Sequence, residues 1–306
     1  MSESSDFVAY HYDPSLIAAA VSAGVFGAST IFHCYQVLRT RTWYMVSLIV
    51  GGLLECAGFA ARIQSSNEAP NFKLPAYIVQ SLCILVAPAF TAATVYMALN
   101  RIICVVDGGF QSPLRPRLFT LTFVSGDVIS FMVQSTGASI MTKKKANAAS
   151  TAKWIIIVGL AIQVVFLSMF IVIAITFHRR MRKNSTLQAK RIPGLWQVYL
   201  GHLYAASLAI LVRSIFRLVE YIQGENGYFM HHEIFLYIFD ATLIACVMLL
   251  LNTAHPSMVT ALQRGSKAVW IFRVRTMEKL EDDVGTDLAA VDLARAQNEQ
   301  NGESLA

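Results

Sequence analysis

Three charged residues interrupt an otherwise apolar segment of the sequence: Arg213, Arg217 and Glu220. Their spacing of four and three residues places them on one face of a helix. Charges inside a membrane helix are costly, so they face the interior of a helix bundle and commonly mark a ligand or ion pathway. Arg217 and Glu220 can equally neutralise each other as a structural ion pair. The segment therefore predicts either one wall of a functional site or a clamp between helices.

Other apolar segments carry polar residues at the same three- and four-residue steps: Glu55 and Arg62, then Asp127, Ser130 and Gln134, and finally Glu233, Tyr237 and Asp240. We expect one network in the exterior half of the membrane, although Asp127 can also be a structural carboxylate hydrogen-bonded across helices. Because acids outnumber arginines, at least one carboxyl group should be protonated or available to a cationic ligand. The candidate ligand-binding residues are Glu55, Arg62, Asp127, Gln134, Arg213, Arg217, Glu220, Tyr237 and Asp240.

A partly charged pocket open toward the outer leaflet suits an amphiphile, whose head group meets the charges while its chain lies against lipid. The sequence predicts no cofactor, metal or catalytic residue. A retinal protein needs a Schiff-base lysine in its last span, and residues 233–252 contain none. No H-x-x-x-H or H-E-x-x-H zinc motif and no phosphate-binding loop occurs. The five cysteines all fall in apolar segments, where they behave as small apolar side chains.

The elements that position these residues are membrane helices. The chain has 306 residues, of which 55% are hydrophobic and 14% charged, and its mean hydropathy is +0.51. A membrane helix needs about 20 apolar residues. Seven segments meet this length: Leu16–Leu38, Tyr44–Ile63, Pro75–Cys104, Leu118–Met141, Trp154–Phe177, Leu195–Ile222 and Glu233–Asn252. The fold class predicted is an all-α, seven-helix transmembrane bundle, and no removable signal peptide is expected at its start.

Two further residues, Pro88 and His33, give predictions about individual helices. Pro88 removes one backbone hydrogen bond from the third span and predicts a kink, which can be architectural or can shape a cavity. His33, alone in the first span, is interpreted as a hydrogen-bonded packing residue rather than a ligand.

Lysine and arginine counts predict the orientation, because cytoplasmic loops hold an excess of both. One side of the predicted bundle collects sixteen of them and the other five, so the N-terminus should lie outside and the C-terminus in the cytosol. The triplet Lys143–Lys145 opposes this assignment without reversing it. The sequon at Asn184 should then be cytosolic and unmodified.

The net charge of +6 fits anionic lipid at the cytosolic face and does not indicate a nucleic-acid partner. Four regions follow. Residues 1–13 form an exterior tail, and residues 14–256 form the seven-helix domain. Residues 257–277 form a basic interfacial segment, in which 264–275 would contact anionic inner-leaflet lipid. Residues 278–306 are acidic and are expected to be disordered.

Several of these motifs, taken in order over residues 10–260, resemble the fungal lipid-translocating exporter family. They are Glu55-x-x-Gly58-x-x-x-Arg62, Asp127-x-x-Ser130-x-x-x-Gln134-x-x-Gly137, Arg213-x-x-Phe216-Arg217-x-x-Glu220 with Gly224 and Gly227, Glu233-x-x-x-Tyr237-x-x-Asp240, and His255-Pro256. The sequence departs mildly from that pattern at Phe59, Ala138 and Ser257. The family consists of seven-helix proteins linked to aminocholesterol resistance and sphingoid-base release.

The resemblance implies a plasma-membrane or endomembrane protein that moves or binds sphingoid bases, sterol-like amines or related amphiphiles, and some relatives are connected to porphyrin uptake. We predict a non-enzymatic transporter or translocase in the plasma membrane, whose partners are membrane lipids. The alternative is a seven-helix receptor or sensor that binds the lipid and signals. A membrane enzyme is the third hypothesis, and no oligomeric state is predicted.

Overall fold

The computed structural model describes residues 15–68, 74–114, 116–141, 148–191, 195–224, 227–253, 266–267 and 278–279. The described chain is almost entirely helical. Its helices are α1 Leu16–Thr40, α2 Val46–Asn67, α3 Leu74–Val105, α4 Pro116–Met141, α5 Ala148–Lys183, the short α6 Leu187–Arg191, α7 Leu195–Gln223, α8 Glu233–Leu236 and α9 Leu243–Thr253. Single 3-10 turns, Trp43–Met45 and Tyr228–His231, precede α2 and α8.

A π-helical turn, Tyr237–Thr242, connects α8 to α9, so that Glu233–Thr253 forms one continuous last span. Residues from Ser257 onward form a separate unit. Within it the structure describes one antiparallel strand pair, β1 Ser266–Lys267 with β2 Glu278–Lys279. The N-terminal tail at 1–13, most of the segment at 257–277 and most of the tail at 278–306 lie outside the described residues.

The described helices have the surface of an integral membrane protein. Large apolar side chains point away from the bundle along its length, among them Ile17, Ile31, Leu121 and Val165. Such a surface would be unfavourable in water, whereas in a bilayer it contacts lipid tails. The structure therefore confirms the predicted helical membrane bundle.

Six helices are long and apolar enough to cross a membrane, and they correspond to six of the seven predicted spans. The remaining prediction, Leu195–Ile222, forms the 29-residue helix α7 but is not among those six. Its sequence contains Arg213, Arg217 and Glu220, and the side chains of Arg213 and Glu220 are buried within the protein. Length and burial thus place α7 in the bundle although its composition is less apolar.

Glycines set the closest helix contacts. A Cβ atom at Gly58 of α2 would lie 2.7 Å from Ile84 of α3, and one at Gly159 of α5 would lie 2.6 Å from the Gln134 side chain of α4. A Cβ at Gly137 would meet Ile156 of α5 at 2.6 Å. Small residues let helix backbones approach in this way in membranes. The pairs α2–α3 and α4–α5 are therefore tightly packed.

Buried hydrogen bonds join α1 to α9 away from the charged residues. His33 Nε2 lies 3.1 Å from the Met248 carbonyl oxygen, and the Gln36 amide donates to the Asn252 carbonyl at 2.9 Å. The Asn252 amide in turn donates to Ser29 Oγ at 2.7 Å. His33 is thus a hydrogen-bonded packing residue, as the sequence predicts.

Candidate functional site

Asp240 lies at the centre of a buried group of charges. Its two carboxylate oxygens pair with the guanidinium groups of Arg213 and Arg217, one turn apart on α7. Arg217 also donates to Glu220 Oε2 at 2.9 Å. Arg213 and Asp240 are each only 2% exposed, so these ion pairs are shielded from solvent. In that setting each charge depends on its partner, because an unpaired buried charge is strongly destabilising.

The π-helical turn of the last span holds Asp240 at this position. Within the turn, the Thr242 hydroxyl donates to the Tyr237 carbonyl at 2.8 Å, five residues earlier. Insertion of one extra residue into a helical turn changes the direction of the side chains that follow, and such bulges occur frequently at functional sites. The sequence gives only a three- and four-residue spacing here, and the π-helical geometry emerges from the structure.

Arg213 makes a second contact that depends on Pro88. Its guanidinium donates to the Ile84 carbonyl oxygen of α3 at 2.9 Å. In a regular helix the N–H of residue 88 would donate to this carbonyl, but proline has no N–H. A buried carbonyl in a membrane needs a donor. Arg213 therefore fills the hydrogen-bonding gap that Pro88 leaves and connects α3 to α7.

Glu55 of α2 lies next to the same charges but pairs with none of them. Arg213, Arg217 and Asp240 all act electrostatically on its carboxyl group. Glu55 is 1% exposed, and neither carboxyl oxygen has a hydrogen-bond partner among the described residues. A buried carboxyl group without a partner is rare in a stable protein and calls for a functional explanation.

A second ion pair lies nearer the end of the bundle where α1 begins. Arg62 of α2 donates to Glu233 at 2.7 Å and to the Tyr237 hydroxyl at 3.1 Å. The backbone N–H of Ser15, just before α1, lies 3.0 Å from both Glu233 oxygens. The Tyr237 ring stacks on Phe59 at a centroid distance of 6.1 Å. The Glu233 carboxylate of the last span thus connects this span to α2 and to the start of α1.

Together these residues form what we call the arginine cluster: Arg62, Arg213, Arg217, Glu55, Glu220, Glu233, Tyr237 and Asp240. Each of its three arginines is ion-paired, and Glu220, Glu233 and Asp240 supply the three acidic partners. Glu55 is the fourth acid and the surplus one. In the described structure the cluster therefore contains one acid more than it has arginines, and the acid without an ion pair is Glu55.

Asp127 belongs to a different part of the bundle. Its carboxyl group lies beside the Tyr96 hydroxyl of α3, although neither of its oxygens makes a hydrogen bond of standard geometry. The Tyr96 ring packs against Phe170 at 4.6 Å and Phe123 at 5.4 Å. The one network expected from the sequence is thus divided, because α4 turns its polar stripe toward α3 and α5 rather than toward α7.

Gln134 continues this stripe toward α5. Its amide donates to Ser130 Oγ at 2.7 Å, and the Ser130 hydroxyl donates to the Gly159 carbonyl of α5 at 2.6 Å. This contact requires the close approach that Gly159 permits. The structure therefore places Gln134 in the α4–α5 interface, whereas the other predicted site residues apart from Asp127 lie in the arginine cluster.

The arginine cluster is closed in this structure. Glu55 and Arg62 are 1% and 0% exposed, whereas the Arg217 and Glu233 side chains are 15% and 16% exposed. In place of the expected open pocket the structure shows a buried cluster of side chains, whose more accessible charges lie toward the end of the bundle where α1 begins. Among the described residues, no group of three or more His, Cys, Asp or Glu side chains could hold a metal ion.

Sequence reasoning missed three partners of these residues. Ser15 contributes a backbone N–H that carries no sequence signal. The Ile84 carbonyl could have been found, since it lies four residues before Pro88. Tyr96 lies in an apolar helix and stands out only once α3 and α4 are placed side by side.

Fold and site together define an integral membrane helical bundle with a buried, ion-paired polar cluster. Residues 48–263 match the family model described as RTA1 like protein, and the chain belongs to this family. The fungal lipid-translocating family recognised from the motifs is thereby confirmed. No solved structure matches the chain.

Relatives from Saccharomyces cerevisiae include Protoporphyrin uptake protein 1, which is 32% identical over 80% of this chain and 91% of its own length. Protein RTA1 is 35% identical over 69% of this chain and 65% of its own. The Sphingoid long-chain base transporter RSB1 is 25% identical over 76% of this chain and 69% of its own.

Proposed function

We propose that this protein transports amphiphilic lipids with a cationic head group, such as sphingoid long-chain bases, across the plasma membrane without chemical change. It thereby confers resistance to toxic lipid-like compounds. Glu55 is the observation that carries the proposal, since it is a buried acid that has no partner among the described residues and lies near the paired arginines Arg213 and Arg217. The names of the relatives support it, because one is a sphingoid long-chain base transporter and another an uptake protein.

The chemistry of a sphingoid base suits the arginine cluster. Its ammonium group can form an ion pair with Glu55, and charge-assisted pairs of this kind are the stronger class of hydrogen bond. Its hydroxyl groups can hydrogen-bond to paired side chains such as Tyr237 and Glu233, which already lie 3.2 Å apart. Its hydrocarbon chain can lie along the apolar outer surface of the helices. A lipid therefore needs only its head group inside the bundle.

Because the cluster is buried, transport would require the protein to alternate between a state open to one leaflet and a state open to the other. The lipid would enter or leave at the end of the bundle where α1 begins, where Arg217 and Glu233 are partly exposed, and we assign that end to the exterior leaflet. The anionic-lipid contact at residues 264–275 remains our expectation for the cytosolic side. In this scheme Arg62, Arg213 and Arg217 hold the helices together, and Glu55 supplies the carboxyl group that pairs with the lipid.

The proposal is tested by resistance of cells to added phytosphingosine. We expect wild-type protein to protect cells and Glu55→Gln to remove that protection at an unchanged protein level. Asp127→Asn should also reduce protection if the second buried acid takes part in the transport cycle. Full protection by both variants would show that these carboxyl groups are not the site.

Asp107→Asn serves as the matched control. Asp107 is an exposed carboxylate in the turn after α3, with a φ of 50°. Asparagine tolerates this left-handed conformation, so the same acid-to-amide change should leave the backbone unaltered. Cells carrying this variant should be protected as well as cells carrying the wild type.

A further inference from the structure

The pairing of charges around Glu55 determines what the site can exchange. With Arg62, Arg213 and Arg217 matched by three acids, the arginine cluster is electrically balanced only when Glu55 is neutral. An ionised carboxylate that is buried and lacks hydrogen bonds is strongly unfavourable. In the arrangement seen in this structure Glu55 therefore holds a proton.

Among the described residues, no side chain near Glu55 is available as a counter-charge that could replace this proton. Arg213 and Arg217 approach from α7 and Asp240 from the π-helical turn, but these three are committed to one another. From α3 the nearby titratable group is the Cys83 thiol, which is a free cysteine. Only a cation brought from outside can replace the proton on Glu55 without unbalancing the cluster.

We propose that Glu55 exchanges its proton for the ammonium group of the lipid, so that the protein is a lipid-cation/proton antiporter. This inference rests on the proposed function and adds its coupling. When the ammonium group arrives, the Glu55 O–H bond breaks, the proton passes to water, and the carboxylate pairs with the ammonium. On the opposite side a proton from water returns to Glu55 and releases the lipid cation.

The exchange moves one positive charge in each direction, so it is electroneutral. A transmembrane pH gradient should therefore drive it, whereas a membrane potential alone should not. At equilibrium, one pH unit would support a lipid gradient of about tenfold, since one unit corresponds to a tenfold ratio of protons. The exchange also sets specificity, because an N-acylated lipid carries no ammonium group and cannot displace the proton.

Proton release on binding tests the inference with purified full-length protein in detergent. Phytosphingosine is titrated calorimetrically at pH 6.5 in two buffers that differ in their heat of ionisation, which counts the protons released per ligand bound. An alkylamine is already charged at this pH, because such groups lose their proton only near about pH 10. A parallel titration with the N,N,N-trimethyl derivative removes any proton from the ligand itself.

For the wild type and the Asp107→Asn control we expect about one proton released per ligand, since a single buried acid exchanges. Glu55→Gln should bind phytosphingosine roughly tenfold more weakly or worse and release none, because it lacks the charge. Binding to the wild type without proton release would overturn the antiport and leave the proposed function standing. No binding to the wild type would overturn both. If Glu55→Gln does not fold, the wild-type proton count still decides.

Discussion

Replacement of Asp240 by asparagine gives the sharpest test of the charge arrangement. Asp240 pairs with both Arg213 and Arg217 and is 2% exposed. The asparagine side chain has nearly the same shape but no charge, so Asp240→Asn removes the ion pairs with little change in packing. It would leave Arg213 with its contact to the Ile84 carbonyl and Arg217 with Glu220.

The expected effect follows from the burial of these partners. Breaking a buried ion pair by removing one member costs about 3–5 kcal/mol. In a chain of this size a loss of that magnitude corresponds to a fall in the apparent melting temperature of roughly 5–15 °C. Glu55 should reduce the loss, because Arg213 and Arg217 act electrostatically on its carboxyl group, which can ionise and take over part of the pairing.

Glu55→Gln alone should therefore be neutral or slightly stabilising, since it removes an acid that has no partner among the described residues. Combined with Asp240→Asn it should be worse than the sum of the two single changes, because the substitute acid is then lost. Coupling of this kind is typically about 0.5–3 kcal/mol between neighbouring residues. Thermal unfolding of the purified variants in detergent measures the change in stability of each single variant and of the double variant, with Asp107→Asn as the reference.

Two results would refute this reasoning. If Asp240→Asn unfolds at the wild-type temperature, the buried ion pairs do not stabilise the bundle. If Glu55→Gln lowers the melting temperature as much as Asp240→Asn does, Glu55 is a paired structural acid and not the surplus one.

Three further predictions concern packing, the α3 kink and orientation. Gly159→Ala should destabilise the protein by about 1–3 kcal/mol in thermal unfolding, because the new Cβ would lie 2.6 Å from an α4 side chain. Gly24→Ala is the control and should not destabilise it, since a Cβ there has nothing within 4 Å. Equal effects of the two changes would refute the tight α4–α5 contact. Arg213→Lys should cost about 1–3 kcal/mol of stability, because lysine lacks the forked guanidinium contact. The cost should be smaller in a Pro88→Ala background, where the restored backbone N–H donates to the same Ile84 carbonyl. An equal cost in both backgrounds would show that Arg213 does not compensate for Pro88. Asn184 should carry no glycan when expressed in a glycosylating cell, as mass spectrometry can check, and a glycan there would reverse the predicted orientation.

The sequence predicts the bundle well because hydrocarbon imposes simple rules on length and composition. Long apolar runs such as those in α1 and α5 predict membrane helices, because a helix satisfies its backbone hydrogen bonds within the segment and can therefore lie in lipid. The α7 helix is the instructive case, because its charges lower its apolarity and yet reveal its buried face. Composition does not predict the π-helical turn at Tyr237–Thr242, which is seen only in the structure.

The candidate site was only partly predictable for a similar reason. Helical spacing shows which residues share a face, and it correctly grouped Arg213, Arg217 and Glu220. It does not show which neighbouring helix that face meets, so it predicts Asp127 in the same network, whereas the structure places Asp127 beside Tyr96. Nor does it reveal which acid of the arginine cluster lacks an ion pair. That assignment to Glu55 needs the three-dimensional pairing of the other charges in the cluster.

Movement of a sphingoid base between leaflets tests the central claim most directly. Purified protein is reconstituted into liposomes, fluorescent phytosphingosine is added outside, and the fraction inaccessible to an external quencher is followed with a pH gradient imposed. We predict faster movement with wild-type protein and the Asp107→Asn control than in protein-free liposomes, and no acceleration with Glu55→Gln. Binding of the lipid without any acceleration by the wild type would contradict the account and favour a lipid receptor.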